Sequence, residues 1–133
     1  MDIMASWNDV VSYLNGNFKC EQESESMLTL LFGMPGGRSQ VVWVEHAGND
    51  QIGEWATVSS AVGSAKDTKK LASLCREAKR VVLGGIVIDG DLIMIRDSFP
   101  LVNLDINELE LPLKVIVSAA DLLESQITGG DDY

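Results

Sequence analysis

Val87-Ile88-Asp89-Gly90-Asp91-Leu92 lies between two apolar runs, Val81 to Ile88 and Leu92 to Ile95. Asp-Gly in that setting is a strong hairpin signal, because the tight turns that suit twisted strands need positive φ, which glycine adopts freely. Gly90-Asp91 turns the chain equally well, so the register is open by one residue. Beyond the hairpin the chain passes Pro100-Leu101 and Asn103-Leu104-Asp105 and enters a last helix. Asp105 and Glu108 form a capping box there. Leu109, Leu113, Ile116, Ala120, Leu123 and Ile127 then recur at alternating spacings of four and three. That seam suits packing along a sheet or another helix. Pro112 interrupts it, either as a kink or as a first-turn residue where the regular part starts. Gly129-Gly130 stops the helix, and 129–133 reads as a frayed acidic tail.

Upstream of the hairpin, Asp67 caps a second helix with Leu71, Leu74, Cys75 and Ala78 on its apolar side. Lys66, Lys69, Lys70, Arg76, Lys79 and Arg80 surround that stripe, six of the ten basic residues in the chain. Before it come three β-type runs: Met27 to Phe32, Gln40 to His46 and Glu54 to Val62. The first two flank Gly33-Met34-Pro35-Gly36-Gly37-Arg38, a turn signal that makes them a hairpin. Gln40, Val42, Val44 and His46 share one face of the second run, and Val41, Trp43 and Glu45 the other. Neither face is cleanly polar, so the sheet is expected to be covered on part of both sides. Glu21 to Ser26, polar and acidic, reads as a connector. An opening helix precedes it, capped by Ser6 and Asp9, with Trp7, Val10, Val11 and Leu14 on one face, Gly16 as its stop and Phe18 closing its end.

Composition narrows the function. The chain has 133 residues and a formal charge of −10, which repels phosphate backbones and anionic membranes as a whole. Cys20 and Cys75 are too few for a disulfide framework. No secretory signal and no apolar span of about 20 residues is visible, so the expectation is a cytoplasmic protein with neither membrane nor nucleic acid as partner.

The order helix, three strands, helix, hairpin, long helix resembles class I type III secretion chaperones. It resembles still more the YbjN-type family of small bacterial proteins labelled sensory-transduction regulators. The similarity covers nearly the whole chain and is most specific from Val87 to Leu92 and on through Leu104-Asp105. It implies a chaperone-like α+β fold, homodimers, and capture of an extended client segment. No motif carries individual binding residues across, and the basic second helix departs from the uniformly acidic chaperones.

Catalytic and metal signatures are weak. His46 is the sole histidine, and with two distant cysteines it makes no recognisable ligand spacing; a strand-end polar role is expected. Ser59-Ser60 has no arguable base. Gly33 to Ser39 lacks the lysine and the following helix of a phosphate loop. Asp89-Gly90-Asp91 lacks the remaining ligands of a calcium loop, and Gly129-Gly130-Asp131-Asp132-Tyr133 is a chain end, not a cyclase hairpin. Trp43 and Trp55 remain as binding anchors, with core packing the favoured role for each. Lys69, Lys70 and Arg76 remain as a basic contact face, with plain solvation the favoured role.

The expectation is therefore one α+β domain over 1–128, ordered α-β-β-β-α-β-β-α. Its twisted, mostly antiparallel five-strand sheet carries the first and last helices on one face, and the middle helix lies at an edge or a dimer contact. The expected function is non-enzymatic protein binding, as a chaperone-like module or regulatory adaptor for a client protein, without cofactor or metal. The alternative is a regulatory domain sensing a small molecule between helix and sheet.

Overall fold

The computed structural model describes residues 3–4, 6–80 and 85–125. Its sheet is antiparallel and six-stranded, one strand more than expected. In chain order the elements are β1 (Ile3–Met4), α1 (Trp7–Asn17), β2 (Cys20–Ser24), β3 (Met27–Met34), β4 (Arg38–Asn49), β5 (Gly53–Ser64), α2 (Thr68–Glu77), β6 (Gly85–Asp89), β7 (Leu92–Pro100), β8 (Leu104–Asp105) and α3 (Ile106–Leu123). Spatially the sheet runs β2-β3-β4-β5-β7-β6, while β1 and β8 pair separately. The additional strand is β2, in the segment read as a connector. Its residues after Cys20 are exposed, as an edge strand allows, so the apolar alternation that marks a strand is missing.

The helix ends follow local chemistry. Ser6 accepts from the Asp9 amide at 3.3 Å, and Asp67 from the Lys70 amide at 3.0 Å. At α3 both halves of the capping box form, Asp105 to the Glu108 amide and Glu108 back to the Asp105 amide. Two details differ from the sequence reading, Gly16 and Cys75, and one open choice, the place of Pro112, is decided. Gly16 lies inside α1, and Phe18 is the cap, its amide bonded to the Leu14 carbonyl. Pro112 lies within a helix that already starts at Ile106. Cys75 is exposed; α2 buries only Leu74 fully, and its neighbour in sequence is turned about 100° away.

The β6–β7 turn takes the later register, with Asp89 opposite Leu92 and Gly90-Asp91 between them. Positive φ falls on Gly90 alone, at 59°, the pattern of a type II′ turn. The β4–β5 hairpin needs glycine for another reason. At Gly48, with φ 100°, an added Cβ would stand 2.0 Å from the Gly53 carbonyl oxygen.

One hydrophobic cluster lies between helices and sheet. Trp7, Val10 and Leu14 of α1, Leu74 of α2 and the α3 seam meet Leu28, Leu30, Val42, Val44, Ala56, Val58, Ile93 and Ile95 there. The register aligns these strand residues on one face: Leu28 opposite Val44, Val44 opposite Val58, Leu30 opposite Val42. All described seam residues of α3 are buried; Ile127 and 129–133 lie outside the described residues. Tyr13 ties α1 to α3 through a hydrogen bond to the Glu110 carboxylate. That bond, burial and the charge of Glu110 together hold the Tyr13 hydroxyl above the ordinary tyrosine range. At the far end of α3, Arg38 joins Asp121 at 3.0 Å and Glu124 at 3.6 Å.

Candidate functional site: the helix-free sheet face

Strand alternation sends every second residue to the other side of the sheet. One row there crosses all six strands: Glu21, Thr29, Trp43, Ser59, Arg96 and Gly85 are successive partners. A second row runs Met27, Glu45, Thr57 and Ser98, with the Thr57 and Ser98 hydroxyls 2.9 Å apart. Met94 stands opposite both Ala61 and Val87. Ala61 and Met94 are buried yet stand outside the hydrophobic cluster beneath the helices. Among the described residues no helix covers this face.

The face is concave. One cavity of about 290 Å³ is lined by Met27, Trp43, Glu45, Ser59, Asp89, Leu92 and Met94. Met27 is on β3 and Asp89 on β6, four strands apart in the sheet order. In a flat sheet they would be about 19 Å apart across the strands and, because Met27 shares a row with Ser98 and Asp89 one with Leu92, about 20 Å apart along them, so the sheet must curl toward this side for both to line one hollow. A second cavity of about 430 Å³ shares Glu45, Ser59, Asp89 and Met94 and adds Val87, Ile88 and Arg96. Together they form an open groove. Its floor is Ser59 and Met94, only 4% and 6% exposed although no helix among the described residues lies over them. Trp43 and Met27 are half-buried along it, and Glu45, Asp89 and Arg96 are exposed.

Both tryptophan candidates lie on this side. Trp43 and Trp55 are half-buried and absent from the core cluster, which corrects the expectation that they pack inside. Only Trp43 lines the groove. Trp55 stands near the end of the sheet, opposite Ala47 and Pro100, and its indole N–H donates to the Ile52 carbonyl at 2.9 Å. Lys69, Lys70 and Arg76 are exposed on α2 and line neither cavity. Sequence reasoning did not single out Met27, Glu45, Asp89, Met94 and Arg96 as site residues. The available signal was Glu45 two residues after Trp43, an acid and an aromatic on one strand face.

The other candidates find ordinary partners. His46 is not at a strand end as expected, because β4 runs on to Asn49 and His46 pairs with Ala56 inside the ladder; its ring stacks on Trp7 with centroids 5.3 Å apart and lies 2.9 Å from the Glu54 carboxylate. Ser60 donates to the Val41 carbonyl and accepts from Gln40. Cys20 is half-buried, and burial pushes its thiol up, away from the reactive thiolate. No group of three or more His, Cys, Asp or Glu side chains is placed to hold a metal among the described residues. No described helix is long and apolar enough to cross a membrane.

Comparison with known proteins finds no matching family and no matching curated protein. The geometry of the sheet face is therefore the ground on which function is argued.

Proposed function

We propose that this chain is a non-enzymatic protein-binding module that holds an extended segment of a partner protein in the groove of its helix-free sheet face. The observation that carries this reading is the groove itself, open and concave, with an aromatic and two thioethers along a floor that no helix among the described residues covers. Large half-buried side chains such as Trp43 and Met27 are usual anchors of binding surfaces. Methionine also adapts its shape to different guests, which suits a surface that grips a segment by its side chains. The space between helices and sheet, where a sensed small molecule would lie, is lined by side chains at or near zero exposure. That favours the partner-segment reading over the small-molecule one.

The α+β class with an antiparallel sheet is compatible with the resemblance to type III secretion chaperones and YbjN-type proteins, although β2 and the β1–β8 pair add to the element order on which it was drawn. A chaperone-like or adaptor role in the cytoplasm, with a homodimer as the working form, is the corresponding proposal.

A photo-crosslinking residue tests it when placed at Leu31, exposed on the free face, and separately at Leu111, exposed on α3. The expected result in the source cell is a discrete protein adduct from position 31 and none from position 111. Adducts from position 111 alone would overturn it. So would a native mass of the purified chain carrying a small molecule whose binding is lost in Trp43→Ala.

A further inference from the structure

The groove is chemically two-sided, and this selects its guest. Trp43, Met27, Leu92 and Met94 supply apolar surface to the smaller cavity. Glu45 and Asp89 line both cavities, whereas Arg96 lines only the larger. Among the described residues, none of these three charged groups makes an ion pair with another side chain. Two carboxylates against one guanidinium, on a chain of formal charge −10, give the groove a negative potential, deepened where β2 brings Glu21 beside Thr29 on the same face. Concave walls of net negative charge concentrate that field. Phosphate-bearing guests are repelled and cations are drawn in.

Spacing adds to charge. Trp43 and Glu45 are two residues apart on β4, so their side chains leave the same face about 7 Å apart. An extended guest lying along β4 presents its own side chains i and i+2 at that same repeat. Resting on the groove reading above, we infer that the guest is an extended peptide segment with an apolar residue and a lysine or arginine two positions apart. The apolar side chain would lie on Trp43, Met27 and Met94, and the cation on Glu45, with Asp89 adding to the negative field of the groove.

A randomised decapeptide display library panned on the whole chain tests this, with selected peptides then titrated by fluorescence anisotropy. Expected are peptides with an apolar–x–basic pattern whose affinity falls about tenfold or more in Glu45→Gln/Asp89→Asn and falls further with salt. Arg96→Gln should tighten the same peptides, because it removes the opposing cation. All three residues are exposed, so melting temperatures should stay at the wild-type value. Trp43→Ala and, as a second variant that keeps the indole, Met27→Lys should abolish binding. Peptides lost in Trp43→Ala or Met27→Lys but lacking basic residues, or indifferent to Glu45→Gln/Asp89→Asn, would overturn this inference and leave the groove reading standing. Failure to enrich any peptide, or peptides indifferent to both Trp43→Ala and Met27→Lys, would overturn both. Self-association of the chain that disappears in Glu45→Gln/Asp89→Asn would replace the peptide with a second copy and overturn the inference as well.

Discussion

Leu30 and Leu31 are neighbours on β3 and live in different worlds: Leu30 is 0% exposed beneath the helices, Leu31 41% exposed on the opposite face. The whole sheet repeats that contrast. On one side three helices press on Leu28, Val42, Val44, Val58 and Ile95, and almost nothing reaches water. The other side holds large apolar groups as well, but among the described residues sheet curvature and not a helix shelters them, and charged residues line the hollow. Apolar surface covered by the chain itself stabilises the fold; apolar surface left in an open, acid-lined groove is available to something else. The difference assigns stability to one face and recognition to the other.

The sharpest way to break the contrast is a charge on the covered side. Ile116 is fully buried mid-seam on α3, and an aspartate there would be an unpaired charge in an apolar setting. Ile116→Asp is expected to abolish cooperative thermal unfolding by circular dichroism; a soluble variant with a sharp transition would contradict the packing described for α3. Next in size is the neighbouring pair. Leu30→Ala should cost about 2–5 kcal/mol in urea unfolding, and Leu31→Ala about 0.5 kcal/mol or less. Equal losses would mean that the free face is structural after all.

How much of this was legible in the sequence depends on how local the signal is. The three helix N-caps, the α3 capping box and seam and the Gly90 turn are short-range patterns, and each appears where its residues place it; of the Ser6–Asp9 box only the Ser6 half forms. β2 was not legible, because an exposed edge strand of Glu and Ser carries no apolar alternation. The face of Trp43 was not legible either. Val42 and Val44 on one side and Val41 and Trp43 on the other look equally apolar, and only the helix positions tell them apart. The groove is harder still. Met27 and Asp89 meet through the curl of a six-strand sheet, a long-range property that no window of sequence contains.

Two smaller effects refine the comparison. The Tyr13 hydroxyl sits above the ordinary tyrosine range because Glu110 holds its proton. The folded chain therefore keeps that proton more tightly than the unfolded chain. The resulting stability is fully present below about pH 10 and is lost as pH rises through the folded-state value. Urea midpoints should fall on the alkaline side of about pH 10 more steeply for the wild type than for Tyr13→Phe; parallel profiles would contradict the α1–α3 tie. Least of all, reversing Lys69, Lys70 and Arg76 to glutamate should leave the melting temperature unchanged, since all three are exposed on α2. If peptide binding also stays unchanged, the basic helix is solvated surface and the groove alone recognises; a change in oligomeric state would make α2 a subunit contact.

The most direct measurement uses the three tryptophans, which the fold divides between the two faces. Fluorine-labelled tryptophan gives Trp7, Trp43 and Trp55 separate ¹⁹F resonances, assigned by single Trp→Phe variants. Titrated with a partner peptide selected on the whole chain, the Trp43 resonance should move saturably while that of Trp7, 5% exposed beneath the covered face, stays in place. Movement of Trp7 with Trp43 unchanged at saturation would place binding on the wrong side of the sheet and contradict the account.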